Sequence, residues 1–222
     1  MIAHVFTKAL KPPYVWAREA VIDIVFERRY GVKTSGEVSL EELGLHGKER
    51  RDYLPSGILT LRRMLPVKSV TPEDVFIDFG SGKGRVVLLA ALGYPFRRVI
   101  GVEISERLHR IAQQNLQRNR DRLRCRDVEL IHSDVLDFSI PDDVTIAFFY
   151  NPFGGRTFET IVDHLLASVD RNPRPLRIIY GNPVEESALL ATGRVRQTGA
   201  VRGLRPGSEW ARSNAFRIYA MN

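Results

Sequence analysis

Cysteine is nearly absent from this 222-residue chain: the single Cys125 excludes an internal disulfide framework and a cysteine-based metal site. Long apolar runs are missing too, and none approaches the roughly 20 residues that a membrane-spanning helix needs. Near the N-terminus Lys8 and Lys11 interrupt the only apolar patch, which leaves no signal-peptide core. The expected location is therefore the cytoplasm, with no membrane partner. There is no internal repeat and no low-complexity tract. Acids are outnumbered by bases, 26 to 33, giving a net charge of +7. That excess favours an anionic partner, such as nucleic acid or an acidic protein surface, although a merely soluble surface would also account for it. At 44% hydrophobic and 27% charged, the composition is that of an ordinary globular protein. The length suits one good-sized domain plus an N-terminal extension.

What is present centres on Val75-Phe76-Ile77-Asp78-Phe79-Gly80-Ser81-Gly82-Lys83-Gly84-Arg85. A short apolar run ends in an acid, opens into alternating glycines and is followed by the apolar segment Val86 to Leu92. This order reads as buried strand, tight loop, helix, with the loop backbone free to approach a ligand. A P-loop would close on a Lys-Ser/Thr pair, which is missing here. In a dinucleotide fingerprint the last small residue would stand where Arg85 is, and an arginine there would crowd the helix against the strand. An acid followed by G-x-G-x-G suits S-adenosylmethionine better, since its ammonium and carboxylate need seating and it has no pyrophosphate to cap. No metal site is expected.

The rest of the chain alternates strands with helices. The spacing of Val15, Trp16, Ala20, Val21, Ile24 and Val25 predicts an amphipathic helix from Tyr14 to Arg29. Ser39 and Glu42 read as a capping box, and Ser56 reads as a cap for a helix over Gly57–Met64, with Ile58, Leu59, Leu61 and Leu65 as its apolar face. Residues 1–66 form either a lid, touching ligand through Thr34, Glu37 or Tyr53, or a structural cap. Residues 67–222 form the main domain. Strands are expected from Val75 to the acid Asp78, and at Arg98–Glu103, Val128–Ile131, Val144–Tyr150 and Leu176–Tyr180, with closing strands at Val195–Val201 and Ala215–Ala220. Helices are expected over Leu108–Leu123 and Phe158–Val169. This is a doubly wound, mostly parallel seven-stranded α/β sheet of Rossmann-like type whose last strand runs antiparallel.

Three acids stand at the ends of three successive strands: Asp78, Glu103 and Asp134. Strand ends line the ligand crevice of such sheets. With Gly80, Ser81, Gly82 and Gly84 they form the expected cofactor site. Asp78 faces the methionine ammonium, Glu103 the ribose, and Asp134 with Val135 the adenine, with Ile104 and Ser133 in the same cofactor site. Strand four ends in Tyr150-Asn151-Pro152-Phe153. On these motifs the chain, from about Asp74 onward, resembles class I S-adenosylmethionine-dependent methyltransferases. Asp78 to Arg85 and Gly101-Val102-Glu103 are similar to the non-SET histone-lysine methyltransferases and their small bacterial relatives. Asn151-Pro152-Phe153 resembles the Asn/Asp-Pro-Pro-aromatic motif of amino-group methyltransferases with one proline missing.

The resemblance implies methyl transfer to a nitrogen, first of all on a protein side chain such as lysine. A nucleic-acid base or a small molecule is the alternative acceptor, and a non-catalytic module that binds cofactor or RNA is the alternative of another class. Asn151 Oδ1 and the Pro152 carbonyl would accept the N–H groups of the acceptor and hold it in line, while Asn151 also borders the cofactor. Phe153 or Tyr150 would pack against the target. His132 and His164 are open as bases or structural residues. Tyr180-Gly181-Asn182-Pro183 is open as a turn or a substrate contact. Arg202, Arg205 and Arg212 form either a phosphate-binding or a solvated loop. Oligomeric state is left open.

Overall fold

Alternation decides where each strand residue goes, because successive side chains on a strand point to opposite faces. In β1 (Val75–Phe79) all five residues are buried, so this strand must lie mid-sheet with both faces covered. Ile77 and Phe79 enter one core, and Phe76 enters the other. β4 (Ile146–Tyr150) repeats the pattern, with Ala147 and Phe149 on the first side and Ile146 and Phe148 on the second.

The computed structural model describes residues 20–201 and 215–221. With β2 (Arg98–Glu103), β3 (Val128–His132), β5 (Leu176–Gly181), β6 (Val195–Val201) and β7 (Phe216–Met221), the strands make one seven-stranded sheet ordered β3-β2-β1-β4-β5-β7-β6. β1 to β5 are parallel, and β7 runs antiparallel between β5 and β6. The expected doubly wound sheet with an antiparallel last strand is what the chain forms. Helices α1 (Thr60–Met64) and α2 (Arg85–Gly93) contribute to one core, and α4 (Gly155–Arg171) contributes Phe158, Ile161 and Leu165 to the other. α3 (Glu106–Gln117) precedes β3, and α5 (Glu186–Ala191) precedes β6. Among the described residues no helix is long and apolar enough to cross a membrane.

Several local expectations are corrected. In the N-terminal helix Ile22 and Phe26 face the core, whereas Val21, Ile24 and Val25 are exposed. Asp23–Arg28 is π-helical, and its wider turn shifts the phase of the inward face away from the 3.6-residue spacing. The expected start of that helix, with Val15 and Trp16, lies outside the described residues. α1 is only five residues long, Leu59 is 62% exposed, and Ser56 does not cap the helix. α3 begins earlier than expected because Ser105 Oγ accepts the Leu108 N–H, and past it the chain tightens into a 3₁₀ turn, Arg120–Arg122. The Ser39–Glu42 contacts form within a single turn. α5 was not foreseen. The arginine loop through Arg202, Arg205 and Arg212 lies outside the described residues.

Residues 27–56 are strapped over the glycine loop, and Arg85 is the anchor. Instead of crowding the sheet, its guanidinium is 3% exposed and turns toward the strap. Nε donates to Thr34 Oγ1 at 2.8 Å, Nη1 to the Ser56 carbonyl at 2.7 Å, and Nη2 to Ser35 Oγ at 2.9 Å. Glu27, 3.7 Å away, balances the charge while accepting the Thr34 and Ser35 N–H groups. α3 holds the neighbouring turn: Asn115 bonds the Lys33 N–H and carbonyl, and Arg118 donates to the Gly31 carbonyl. Truncating Arg85 would leave Glu27 and the strap acceptors without their partner. Arg85→Met is expected to lower the unfolding free energy by about 3–5 kcal/mol, read as a fall in the urea midpoint. An unchanged midpoint would show that the strap does not depend on this side chain.

Candidate functional site

The loop after β1 needs glycine for two separable reasons. Gly80 and Gly82 have φ of +73° and +55°, in the left-handed region that side chains disfavour. Space is the other reason. A Cβ on Gly80 would sit 2.5 Å from Pro152 Cβ, and one on Gly82 would overlap the Tyr53 ring. The loop is held from below, because the Gly80 and Ser81 N–H groups both donate to the Val102 carbonyl, at 2.9 and 3.0 Å.

Beside this loop lies a cavity of about 430 Å³, within the usual range of roughly 300–1,000 Å³ for ligand pockets. Its floor is made by strand ends. Asp78, Gly80 and Ser81 come from β1 and its loop, Glu103 and Ile104 from β2, Asp134 and Val135 from beyond β3, and Asn151, Pro152 and Phe153 from beyond β4. The strap makes the roof with Leu40, Leu43, Leu45, Arg50 and Tyr53. Gly82, Gly84 and Ser133 do not line the cavity. Gly82 lies under Tyr53, Gly84 packs on Ala112, and Ser133 Oγ donates to the Asp134 carbonyl.

The buried electrostatics are one-sided. Asp78 is 3% exposed, and burial, followed by the charge of Glu103, holds its carboxyl well above the ordinary range. Glu103 is also raised by burial, although the Ser105 and Gly82 N–H groups donate to it at 2.8 and 2.7 Å and offset part of that. Asp134 is already engaged: Oδ2 accepts from Arg50 Nη2 at 2.7 Å, and Oδ1 accepts the Leu136 N–H. Three oxygens of cavity-lining residues are buried without a hydrogen-bond partner: Ser56 Oγ, Ser81 Oγ and Asn151 Oδ1.

The segment beyond β4 is set by the strap. Arg50 forms a β-bridge with Phe153. Glu49 accepts the Arg156 and Thr157 N–H groups and the Thr157 hydroxyl, capping α4. Those bonds, the Thr157 hydroxyl first, hold the Glu49 carboxyl below its ordinary value. Phe153 does not stand free for a target. It is 4% exposed and set edge-on to Phe149, because the bridge turns it into the core. Tyr150 stacks on Phe216. Neither His132 nor His164 lines the cavity, and the His132 ring pairs with the Ile104 carbonyl. Among the described residues no group of three or more His, Cys, Asp or Glu is placed to hold a metal ion.

Sequence reasoning missed Arg50, Glu49 and the leucine wall. No signal short of tertiary structure marks an arginine 84 residues before its carboxylate partner. Thr34 and Glu37 were named as ligand-touching residues of a lid: Glu37 lines the cavity, but Thr34 is spent on Arg85 and Glu27.

With this geometry in view, comparison with known proteins is informative. Residues 58–143 match the family model described as "Histone methylation protein DOT1". A protein-lysine N-methyltransferase of Saccharolobus islandicus (strain REY15A) is 34% identical over 67 residues, 30% of this chain and 42% of that protein. A histone-lysine N-methyltransferase, H3 lysine-79 specific, from Drosophila melanogaster is 41% identical over 54 residues, 24% of this chain and 3% of that protein. The chain thus spans less than half the length of these curated relatives. The structure of precorrin-6y C5,15-methyltransferase from Geobacter metallireducens GS-15 superposes with a TM-score of 0.53 at 18% identity, covering 74% of this chain and 85% of that one. The fold is the Rossmann-like fold of class I methyltransferases.

The raised carboxyls make stability depend on pH. Folded Asp78 keeps its proton where the unfolded chain has already released it. Stability from this group is full below the unfolded value and is lost as pH rises through the raised folded value. Asp78→Asn should therefore gain on the wild type as pH climbs from the ordinary carboxylate range toward neutrality. Thermal melts of both proteins across that window give the check. A constant difference in melting temperature would contradict the buried-acid account.

Proposed function

We propose that this protein is an S-adenosylmethionine-dependent N-methyltransferase acting on a protein side chain, lysine first of all. The observation that carries the reading is Asn151 Oδ1, a buried acceptor with no partner, at the wall of a cavity floored by carboxylates beside a glycine loop. The residues fit the cofactor. Asp78 and Glu103 are buried acids whose ionised forms want a cation, and a ligand bearing an ammonium and a sulfonium supplies one. Ser81, whose Oγ is buried without a hydrogen-bond partner, lines the same cavity. Glu103 would take the ribose hydroxyls and Asp134, with Val135, the adenine edge. When bound, the cofactor supplies an electrophilic methyl group.

The chain's own part is positioning. Asn151 Oδ1 accepts an N–H group of the incoming amine and helps to aim its lone pair, on a loop that Pro152 stiffens. Leu40, Leu43 and Leu45 cover the stem and exclude water. Burial there favours the neutral amine, which is the nucleophilic form. Residues through 66 act in this reading as the lid. The basic exterior suits an acceptor carried on an anionic surface, and a cytoplasmic location fits the free, buried Cys125.

The leucine wall favours one second reading, a small apolar amine as acceptor. A nucleic-acid base has less support, because buried Phe153 offers no stacking face.

Calorimetric titration with S-adenosylmethionine, and in parallel with NAD, is the first test. Binding of NAD alone would overturn the reading. Glu103→Ala is expected to weaken S-adenosylmethionine binding by about 1–3 kcal/mol. Asn151→Gly, which tolerates the left-handed backbone, should keep that affinity and lower labelled-methyl transfer to peptide amines by about a hundredfold. Full transfer by this variant would remove Asn151 from its role.

A further inference from the structure

Among the described residues, only Asn151 and Asn182 combine a side chain with a left-handed backbone, at φ +47° and +49°. Each precedes a proline, which further restricts the residue before it. Their placement is matched as well. Tyr150 and Gly181 are register partners on the adjacent parallel strands β4 and β5, so the next residue along each strand is one of these asparagines. Both line the same cavity. Glu185 Oε1 ties the two loops together by accepting the Gly155 N–H at 3.0 Å, and the Asn182 N–H is held by the carbonyl of Ala215, just before β7, at 2.9 Å. Non-glycine residues keep such conformations where the surroundings over-determine them, and these cluster at ligand sites.

We infer that Asn182 is a second acceptor for the nucleophilic amine, paired with Asn151, and that the pair selects for a primary amine. The inference rests on the methyl-transfer reading above. A primary amine has two N–H bonds and one lone pair. Two amide oxygens take the two N–H groups and leave the lone pair free to point at the methyl. In the transfer the lone pair becomes the new N–C bond, the old bonding pair stays with the departing donor, and the surplus proton leaves to solvent. The product amine has one N–H, so one of the two amide acceptors, of which Asn151 Oδ1 is the buried one, loses its amine partner when it rebinds. Unmethylated amine is therefore the preferred substrate, and release after one transfer is favoured.

The test uses the full chain, a lysine-rich peptide, and the same peptide carrying Nε-monomethyl-lysine. Asn182→Gly removes the amide and keeps the backbone conformation. The wild type should prefer the unmethylated peptide, and the variant should lose about tenfold in kcat/KM on it while changing little on the monomethylated one. Affinity for S-adenosylmethionine, read by calorimetry, should be unchanged, and affinity for the unmethylated peptide, read by fluorescence anisotropy, should fall. Equal losses on both peptides, or none on either, would overturn the pairing. A wild type that binds the cofactor and transfers methyl to neither peptide would remove the lysine reading on which it rests.

Discussion

A guanidinium cannot shed its charge, so burying one obliges the chain to build a polar surround for it. Arg85, at the first turn of α2, imposes that obligation on residues 27–56. Thr34, Ser35 and Ser56 meet its donors, and Glu27 meets its charge. Once these are in place, Tyr53 falls over Gly82 with its hydroxyl on the Thr34 carbonyl. Lys83 reaches back to the Ser35 carbonyl and lies over the Tyr53 ring. The glycine loop is thus clamped between sheet and strap. The leucines of residues 40–45 and the Arg50 side chain reach the cavity only because the strap is anchored at this point.

The cavity reverses the charge of the protein around it. A chain with seven surplus positive charges keeps acids at its ligand-facing strand ends. Two of them are buried, and the charge of Glu103 hinders the ionisation of Asp78, while Asp134 is balanced by Arg50. Such a pocket is poised for a cation: a positive ligand restores the charges that burial suppresses, whereas an anionic dinucleotide would meet them head-on.

Fold and floor were legible in the chain because both rest on local patterns. Val75 to Asp78, apolar and ending in an acid just ahead of the glycines, marks a buried strand and its loop, and β2 and β6 fall on their expected residues. Asp78, Glu103, Asp134 and Asn151 reach one cavity because parallel strands all end on the same side. The roof was not legible, since its residues act through partners far along the chain. Arg50 meets Asp134 and Glu49 meets Thr157 only after the sheet has formed. The inward face of the first helix was misread because a π-helical turn breaks the period on which such a reading depends. Phe153, an apparent target platform by motif, is turned inward by a single β-bridge that its own neighbourhood in the sequence does not encode.

The strap's dependence on distant partners sets an order on biosynthesis. Residues 27–56 leave the ribosome before the groups that fix them. Arg85 follows at once, but Asn115, Arg118 and Arg122 come later, Asp134 later still, and the start of α4 last. Chains are made at roughly 5–20 residues per second, so this segment spends several seconds of translation with donors and leucines facing water. This segment is made before most of the groups that seat it, and the cavity's roof has all its partners only once the start of α4 has been made.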